Sequence, residues 1–489
     1  MGVRFSPGVL GVMHIHPIVK EILTTLTKNG HNAYAVGGCV RDLLIGAPPK
    51  DWDITTSAAP DRIQELFPDS FYENRFGTVT IKTDHEDEMV RHVEVTPFRT
   101  EGAYTDRRHP DTIAFAQTIE EDLARRDFTV NAIALAADGT IVDPHGGQHD
   151  IEQRLIRAVG NPAERFAEDA LRLMRGVRLA TVLDFTIEPS TFTALKTNAR
   201  LLKDIAVERI RDELNKVIMS DRASQGIQLM EDAGLLVHVM PELREGIGVE
   251  QNLHHIYTVW EHNLRALQYA ADKGYTPEVR LASLLHDVGK PATKKGEGKN
   301  CTFYAHDIVG AKITRRIMAR LKYSRTINEL VTKLVRYHLF YYNVGEVTDS
   351  SVRRLVANVG LEYMDDLIKV READRIGSGT PKAVPYKLRH LKYMIDKVSH
   401  DPISVKMLAI KGDEIIRELG IEPGPKVGLI LNTLLTETLD EPSLNTKERL
   451  LERAHALSER SPKELERSLE RIKEALEQEE KQRMRKYYV

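Results

Sequence analysis

The chain reads as a multidomain α+β protein: a head with a mixed sheet and helices, followed by a long all-helical remainder. Between about residues 18 and 158, short alternating stretches such as Arg91-His92-Val93-Glu94-Val95-Thr96 interrupt helical segments. From Ala163 onward apolar residues recur at helical spacing, one amphipathic segment after another. A length of 489 residues is enough for several hydrophobic cores. The expected divisions are a head at 18–158, a neck and helical body at 159–250, a further helical domain at 251–380 and a helical tail at 381–489.

Composition narrows the possibilities. No apolar run approaches the roughly 18 residues of a membrane span, and Met1 to Met13 lack signal-peptide architecture. Cys39 and Cys301 are the only cysteines, so no disulfide framework exists and a reducing, cytoplasmic setting is expected. Lys and Arg number 69 against 72 Asp and Glu, a net charge of -3. A nucleic-acid partner would therefore need a local positive face.

The first chemical signal is Gly37-Gly38-Cys39-Val40-Arg41-Asp42, followed by Asp51-Trp52-Asp53. A glycine turn can lay backbone N–H groups against a phosphate. In a strand, residues two apart share a face, so Asp51 and Asp53 would present two hard oxygen ligands suited to Mg2+. Such a pair serves two-metal nucleotidyl transfer. Glu94, on the face opposite Val93 and Val95 of a neighbouring strand, is the expected third carboxylate. The segment from Thr100 to Pro110, with Gly102 and clustered charges, reads as a loop over the site.

Glu168-Asp169-Ala170-Leu171-Arg172 offers a way to read a base. On a helix, Asp169 and Arg172 would share a face. An ionised Asp only accepts and an Arg only donates. Cytosine and adenine each offer an amino donor beside a ring-nitrogen acceptor, whereas uracil and guanine present the reverse. The pair would thus accept CTP and ATP and reject UTP and GTP. Arg175 and Arg178 continue the helix at intervals of three, with Arg200, Lys203, Arg209 and Arg211 beyond. These cations serve the nucleotide, an RNA backbone or a solvated helix face.

Gly37 to Asp53 resembles the head signature of the class II tRNA nucleotidyltransferase and bacterial poly(A) polymerase superfamily. Three further blocks follow in the family's order: Arg125 to Ala132, Asp143 to Gly147, and Arg165 to Arg172. The resemblance implies a polymerase-beta-type head in which Gly37 and Gly38 hold the triphosphate, Arg41 contacts it, and Arg126 and Asn131 line the nucleotide pocket. It also implies that the 100–110 loop helps to switch from C to A addition. Family members devoted to poly(A) tend to carry a Gly, two basic residues and a Phe just after the catalytic aspartates. Asn74-Arg75-Phe76-Gly77 is more similar to the tRNA-end enzymes.

Farther along, His262, His286-Asp287, His306, His338 and Asp374 form an ordered series that resembles the HD phosphohydrolase domain. The resemblance implies that His262, His286, Asp287 and Asp374 hold one divalent metal of unspecified identity, with His306 and His338 completing a second site. The chemistry it implies is metal-activated water attacking a phosphoester. His254 and His255 either face substrate or belong to a polar helix approach. In the tail, Lys411 to Ile416, a Gly-Pro turn and a helix starting near Lys426 form either a phosphate-binding helix start or a plain helical hairpin; the segment resembles the one that family members use against the tRNA backbone. The charged run from Glu464 to Lys486 reads as a solvated helix.

The function expected from these features is addition or repair of the 3'-terminal CCA of tRNA from CTP and ATP, with Mg2+ in the head and a hydrolytic HD domain. Enzymes adding only A or only CC, a poly(A) polymerase, and an HD phosphohydrolase with a nucleotide-binding head are the alternatives.

Overall fold

Alternation of buried and exposed residues builds the sheet of the head. In β5 (His92–Pro97), Val93 and Val95 are wholly buried while Glu94 points outward, as a strand with one face on the core requires. The computed structural model describes residues 14–72, 77–101, 113–251, 256–340, 342–380 and 383–485. The chain divides into two compact units: residues up to Arg244 with 319–322, and Glu245–Met318 with Tyr323 onward.

The sheet of the first unit has seven strands: β1 (Ala33–Val36), β2 (Asp53–Thr56), β3 (Ser70–Tyr72), β4 (Val79–Lys82), β5, β6 (Ala134–Leu135) and β7 (Ile141–Val142). Their order is β3-β4-β5-β2-β1-β6-β7. The β2–β5 pair is parallel and sets Asp53 opposite Glu94, while the other pairs are antiparallel. Val36, Phe98, Leu123, Ala134 and Val159 form a core against it. Helix α1 (Pro17–Lys28) buries Val19, Ile22, Leu23 and Leu26, an apolar stripe at helical spacing.

Helix α2 (Gly38–Ile45) starts at Gly37, whose φ of 85° lies in the left-handed region that a side chain disfavours, and ends at Gly46 in the αL conformation. Beyond the sheet, α3 (Pro162–Glu168) opens with Asn161 accepting from the Ala163 N–H and with Pro162 in its first turn. It stops at Asp169, which is extended, and α4 (Leu171–Leu183) then begins. One small parallel ladder, Leu155–Ile156 with Thr186–Ile187, interrupts the helical stretch expected from Ala163 onward. Two residues per strand are too few to show a period in the sequence. Helix α5 (Val207–Ile218) follows.

In the second unit, α6 (Val259–Asp272) begins with a capping box between Thr258 and Glu261. Then come α7 (Pro277–Leu285), α8 (His306–Arg320), α9 (Arg325–Tyr337), α10 (Met364–Gly377) and α11 (Tyr386–Val398). A side chain at Gly289 would meet the His306 carbonyl oxygen at 2.2 Å, so this glycine lets the end of α7 and the start of α8 close together. The tail holds α12 (Gly412–Leu419), α13 (Pro425–Asp440), α14 (Lys447–Ser458) and α15 (Pro462–Arg485), around Ile415, Ile430, Leu434 and Leu450. Its expected hairpin is present, but the Lys426 Nζ donates to the Ser458 carbonyl at 2.6 Å. That lysine is committed within the chain, which counts against its expected role as a phosphate ligand.

Candidate active site and metal centre

The glycine turn, one of the expected catalytic carboxylates and the expected base-reading pair meet in one cleft of about 330 Å³ in the first unit. Gly37, Gly38, Asp53, Arg126, Asn131, Asp169, Arg172 and Arg175 line it, as do Arg99, Arg125, Asp127 and Arg209. A Cβ on Gly37 would lie 3.1 Å from Arg126 Nη1 and 3.8 Å from Asp53 Oδ2, so the backbone approaches both groups closely. Arg126 Nε and Arg209 Nη1 are buried polar atoms without a hydrogen-bond partner. Such donors cost free energy unless an acceptor reaches them. An arginine-rich lining of this kind suits a polyphosphate.

The carboxylates differ from the expectation in one respect. Asp53 opens β2, but Asp51 lies in the preceding bend and is exposed, so strand geometry does not set their relation. They still interact: burial, and then the negative charge of Asp51, raise the Asp53 pKa against the pull of Arg126. Register partners in a parallel pair share a face, which puts Glu94 beside Asp53. Crowded acidic oxygens that repel one another are the donor set a divalent cation relieves.

Arg41 turns inward. Its Nε and Nη2 donate to Asp42 Oδ1 at 2.9 and 2.6 Å, and Nη1 donates to Asn131 Oδ1 at 2.6 Å. Asn131 Nδ2 in turn donates to Asp127 Oδ1 at 3.3 Å. Asp127 also accepts from the Phe128 N–H at 2.9 Å and from Arg175 Nε at 2.6 Å. Burial pushes the Asp127 carboxyl up, but Arg175, Arg172 and Asn131 outweigh it and hold the group well below the usual carboxylate range. This chain of polar contacts runs from the glycine helix to α4.

The base-reading pair is not built as the spacing implied. Asp169 is not on a helix face; it sits in the break between α3 and α4. Its Oδ1 accepts from the Leu171 N–H at 2.9 Å and its Oδ2 from Arg209 Nη2 at 3.2 Å. Arg172, in the first turn of α4, is 7% exposed. It donates to Glu168 Oε2 at 2.5 Å, to the Arg165 carbonyl at 3.0 Å and to the Arg125 carbonyl at 3.2 Å. The helix break therefore brings the two side chains to the cleft. Arg178 does not line it; its Nε faces Glu213 Oε2 on α5 at 2.7 Å.

Asp127 and Arg125 also line the cleft, and nothing in the local pattern of the Arg125–Ala132 segment marks them apart from Arg126 and Asn131. Arg99 comes from the strand edge and Arg209 from α5, and no local pattern joins either to the glycine turn. The loop residues 102–110, Asn74 to Phe76, and Asn252, His254 and His255 lie outside the described residues.

The second unit gathers all the expected HD residues in its interior. His262 is on α6, His286 caps the end of α7, His306 opens α8, His338 caps the end of α9, and Asp374 is on α10. Among the described residues, two buried triads bring ligand atoms within 4.8 Å of one another: His262, His286 and Asp374, and Asp287, His306 and His338. The head carboxylates form no such triad. Asp287 completes the second triad. It also reaches the first: its Oδ2 is 3.0 Å from His262 Nε2 and 3.4 Å from His286 Nε2, while Oδ1 is 3.3 Å from His306 Nε2 and 3.7 Å from His338 Nε2.

Each of His286, His306 and His338 sets Nδ1 at 2.7 to 2.8 Å from the carbonyl three residues back. Donation there aims each Nε2 inward at the acidic groups, the orientation a metal ligand needs once any Nε2 proton is displaced. Both Asp287 oxygens are buried without a well-aligned hydrogen bond. The group is nonetheless held ionised, because Lys290 and His286 outweigh burial. Burial lowers the His286 pKa, yet Asp287 and Asp374 carry it up to about 10. Two buried, ionised carboxylates among inward-facing imidazole nitrogens fit a divalent metal. Sequence reasoning did not single out Lys290, whose Nζ lies 2.5 Å from Asp287 Oδ2 and donates to Gln251 Oε1 at 2.6 Å.

Comparison with known proteins agrees with both sites. Residues 33–157 match the poly(A) polymerase head domain, 184–247 the RNA- and SrmB-binding site of polymerase A, and 259–376 the HD domain. A CCA-adding enzyme of Limosilactobacillus fermentum is 33% identical over 444 residues, covering 90% of this chain and 96% of that protein. The chain belongs to the CCA-adding enzyme family. A CCA-adding enzyme of Geobacillus thermodenitrificans is 46% identical over 225 residues, 46% of this chain and 54% of the relative. The crystal structure of the Bacillus stearothermophilus CCA-adding enzyme in complex with CTP superposes with a TM-score of 0.64 at 28% identity, covering 94% of this chain and all of that one. Members of the nucleotidyltransferase and HD families are metal-dependent, which agrees with the candidate ligand groups in this CCA-adding enzyme family member. Among the described residues no helix is long and apolar enough to cross a membrane.

Proposed function

We propose that this chain is a template-independent tRNA nucleotidyltransferase that adds or repairs the 3'-terminal CCA using CTP and ATP. The observation that carries this reading is the convergence of Gly37, Gly38, Asp53, Asp169 and Arg172 on one cleft of nucleotide size. Asp51, Asp53 and Glu94 would hold Mg2+, which when bound activates the attacking hydroxyl and stabilises the leaving pyrophosphate. The chain's own groups do the rest. Gly37 and Gly38 offer close backbone approach to the triphosphate, and Arg126 and Arg209 supply charge-assisted donors. Asp169 presents an acceptor and Arg172 a donor to the base edge. Arg41 acts as a positioning residue through Asn131, and Arg175 through Asp127.

The functional division is proposed as head at 18–158, neck and body at 159–250, HD domain at 251–380 and tail at 381–489. A second activity, metal-dependent phosphohydrolysis, is favoured by the buried Asp287 carboxylate, which lies between the two histidine groups. A cytoplasmic setting accords with two buried free thiols, Cys39 and Cys301.

The test is nucleotide incorporation on tRNA transcripts ending before CCA, after C and after CC, supplied with Mg2+ and CTP, ATP or both. Complete CCA on the shortest transcript, lost in Asp53→Ala, is expected. Addition to only one kind of end makes this a CC-adding or A-adding enzyme, and long A tails on generic RNA make it a poly(A) polymerase. No incorporation beside retained phosphohydrolysis would transfer the main activity to the HD domain.

A further inference from the structure

Helix α11 presents a stripe of aromatic side chains whose two outer rings stay largely exposed among the described residues. Tyr386, His390 and Tyr393 follow at intervals of four and three, so they share one face. The His390 ring lies 6.0 Å from that of Tyr386 and 6.1 Å from that of Tyr393. Tyr342, just beyond α9, joins them at 5.9 Å, with its hydroxyl hydrogen-bonded to His390 Nδ1. The other face of α11 is buried through Leu388, Leu391, Met394, Ile395 and Val398, so the helix is already docked. Tyr386 and Tyr393 are nevertheless each 62% exposed. Adjacent large aromatics left in water mark a surface meant for a partner.

The charge beside them says which partner. Helix α11 carries Lys387, Arg389, Lys392 and Lys397 against a single acid, Asp396. Lys392 and Lys397 face Glu372 at 3.6 Å and Asp349 at 2.7 Å. Lys387 and Arg389 are exposed, and the carbonyl of Val384 takes only one Arg389 donor, at 3.2 Å. Arg389 sits three residues after Tyr386 and four before Tyr393, so helical spacing puts its position next to both. Flat aromatic faces interleaved with cations match stacked bases joined by phosphates. Tyr342 also lines a mainly aliphatic cleft of about 440 Å³ with Tyr337, Phe340, Leu355 and Leu476, which adjoins the stripe.

We infer that the Tyr386–His390–Tyr393 stripe is a stacking platform for unpaired nucleotides of an RNA. The inference rests on the reading that this chain works on RNA, and it adds a contact for single-stranded nucleotides outside the nucleotide cleft.

The experiment is photo-crosslinking of the full chain to a single-stranded RNA of about twelve nucleotides containing 4-thiouridine, with the same sequence as a duplex in parallel. Crosslinks on the 386–398 peptide are expected with the single strand. Stacking of one base is worth roughly a factor of ten in affinity. Tyr386→Ala with Tyr393→Ala should therefore lower the yield at that peptide at least about tenfold, while Tyr386→Phe with Tyr393→Phe keeps it. No crosslink on that peptide, equal yield with the duplex, or a yield unchanged by the alanines overturns the proposal. So does concentration-dependent self-association that the alanines abolish, which would make the stripe an interface between copies. Incorporation at saturating tRNA, measured on the same alanine variant, is expected to persist. Its absence in the parent would fault the proposed transferase activity separately from the stripe.

Discussion

Replacing Asp127 by Asn tests whether one buried carboxylate holds the nucleotide cleft in shape. Asn keeps the size and an acceptor for the Phe128 N–H, but it removes the charge that meets Arg175 Nε at 2.6 Å. Asp127 is 7% exposed, whereas the Arg175 side chain is about a third exposed and can recover some hydration. A hydrogen bond to a charged partner contributes about 1.5 to 3 kcal/mol, and the exposure of Arg175 places the expected loss near the lower end, about 2 kcal/mol. Fluorescence can isolate that loss to one unit. Trp52 and Trp260 are the only tryptophans, one in each unit, so urea unfolding in a Trp260→Phe background reads the first unit through Trp52. The pH dependence has a definite sign. Because the folded-state pKa of Asp127 is depressed, its stabilisation is fully present above its unfolded value of 3.8 and is lost as the pH falls below it. The gap between parent and Asp127→Asn should therefore be constant from pH 7 to about 5 and begin to narrow below about 4. A gap under about 0.5 kcal/mol at pH 7 would refute the reasoning.

Further outcomes follow from the same geometry. Gly37→Ala should cost about 1 to 2 kcal/mol, because φ is 85° there, and should sharply reduce incorporation by displacing Arg126; normal activity and stability would argue against the glycine turn as a tight phosphate cradle. His286→Ala with Asp287→Ala should weaken divalent-metal binding at least about 100-fold, read by elemental analysis after dialysis, and leave CCA addition intact. Burial pushes the Cys39 thiol up to about 12, so it should resist a thiol reagent at pH 8 until the first unit unfolds in urea. Rapid labelling of native Cys39 would contradict its burial.

Sequence alone determined the types and order of the chemical groups. The Gly37–Gly38 turn and the strand alternation around Glu94 are local, since a turn or a strand face is set within a few residues, whereas the shared strand face expected of Asp51 and Asp53 did not form because Asp51 lies in the bend before β2. The helical remainder was legible for the same reason, as apolar residues recur at helical spacing over many turns. Resemblance to known families picked out the HD residues that the structure gathers in one interior, but the place of Asp287 between both histidine sets was not legible. Asp287 stands between two histidine sets because α7, α8 and α9 end or begin at one point, a fact of packing. Tertiary structure likewise decided that Asp169 reaches the cleft from a helix break, that Arg41 bonds Asn131 across 90 residues, and that Arg209 joins from α5. It also withdrew Arg178 and Lys426, which found partners inside the chain. Local periodicity fixes which face a residue takes, whereas partners distant in sequence meet only when elements pack, and each charge then settles on whichever partner best offsets its desolvation.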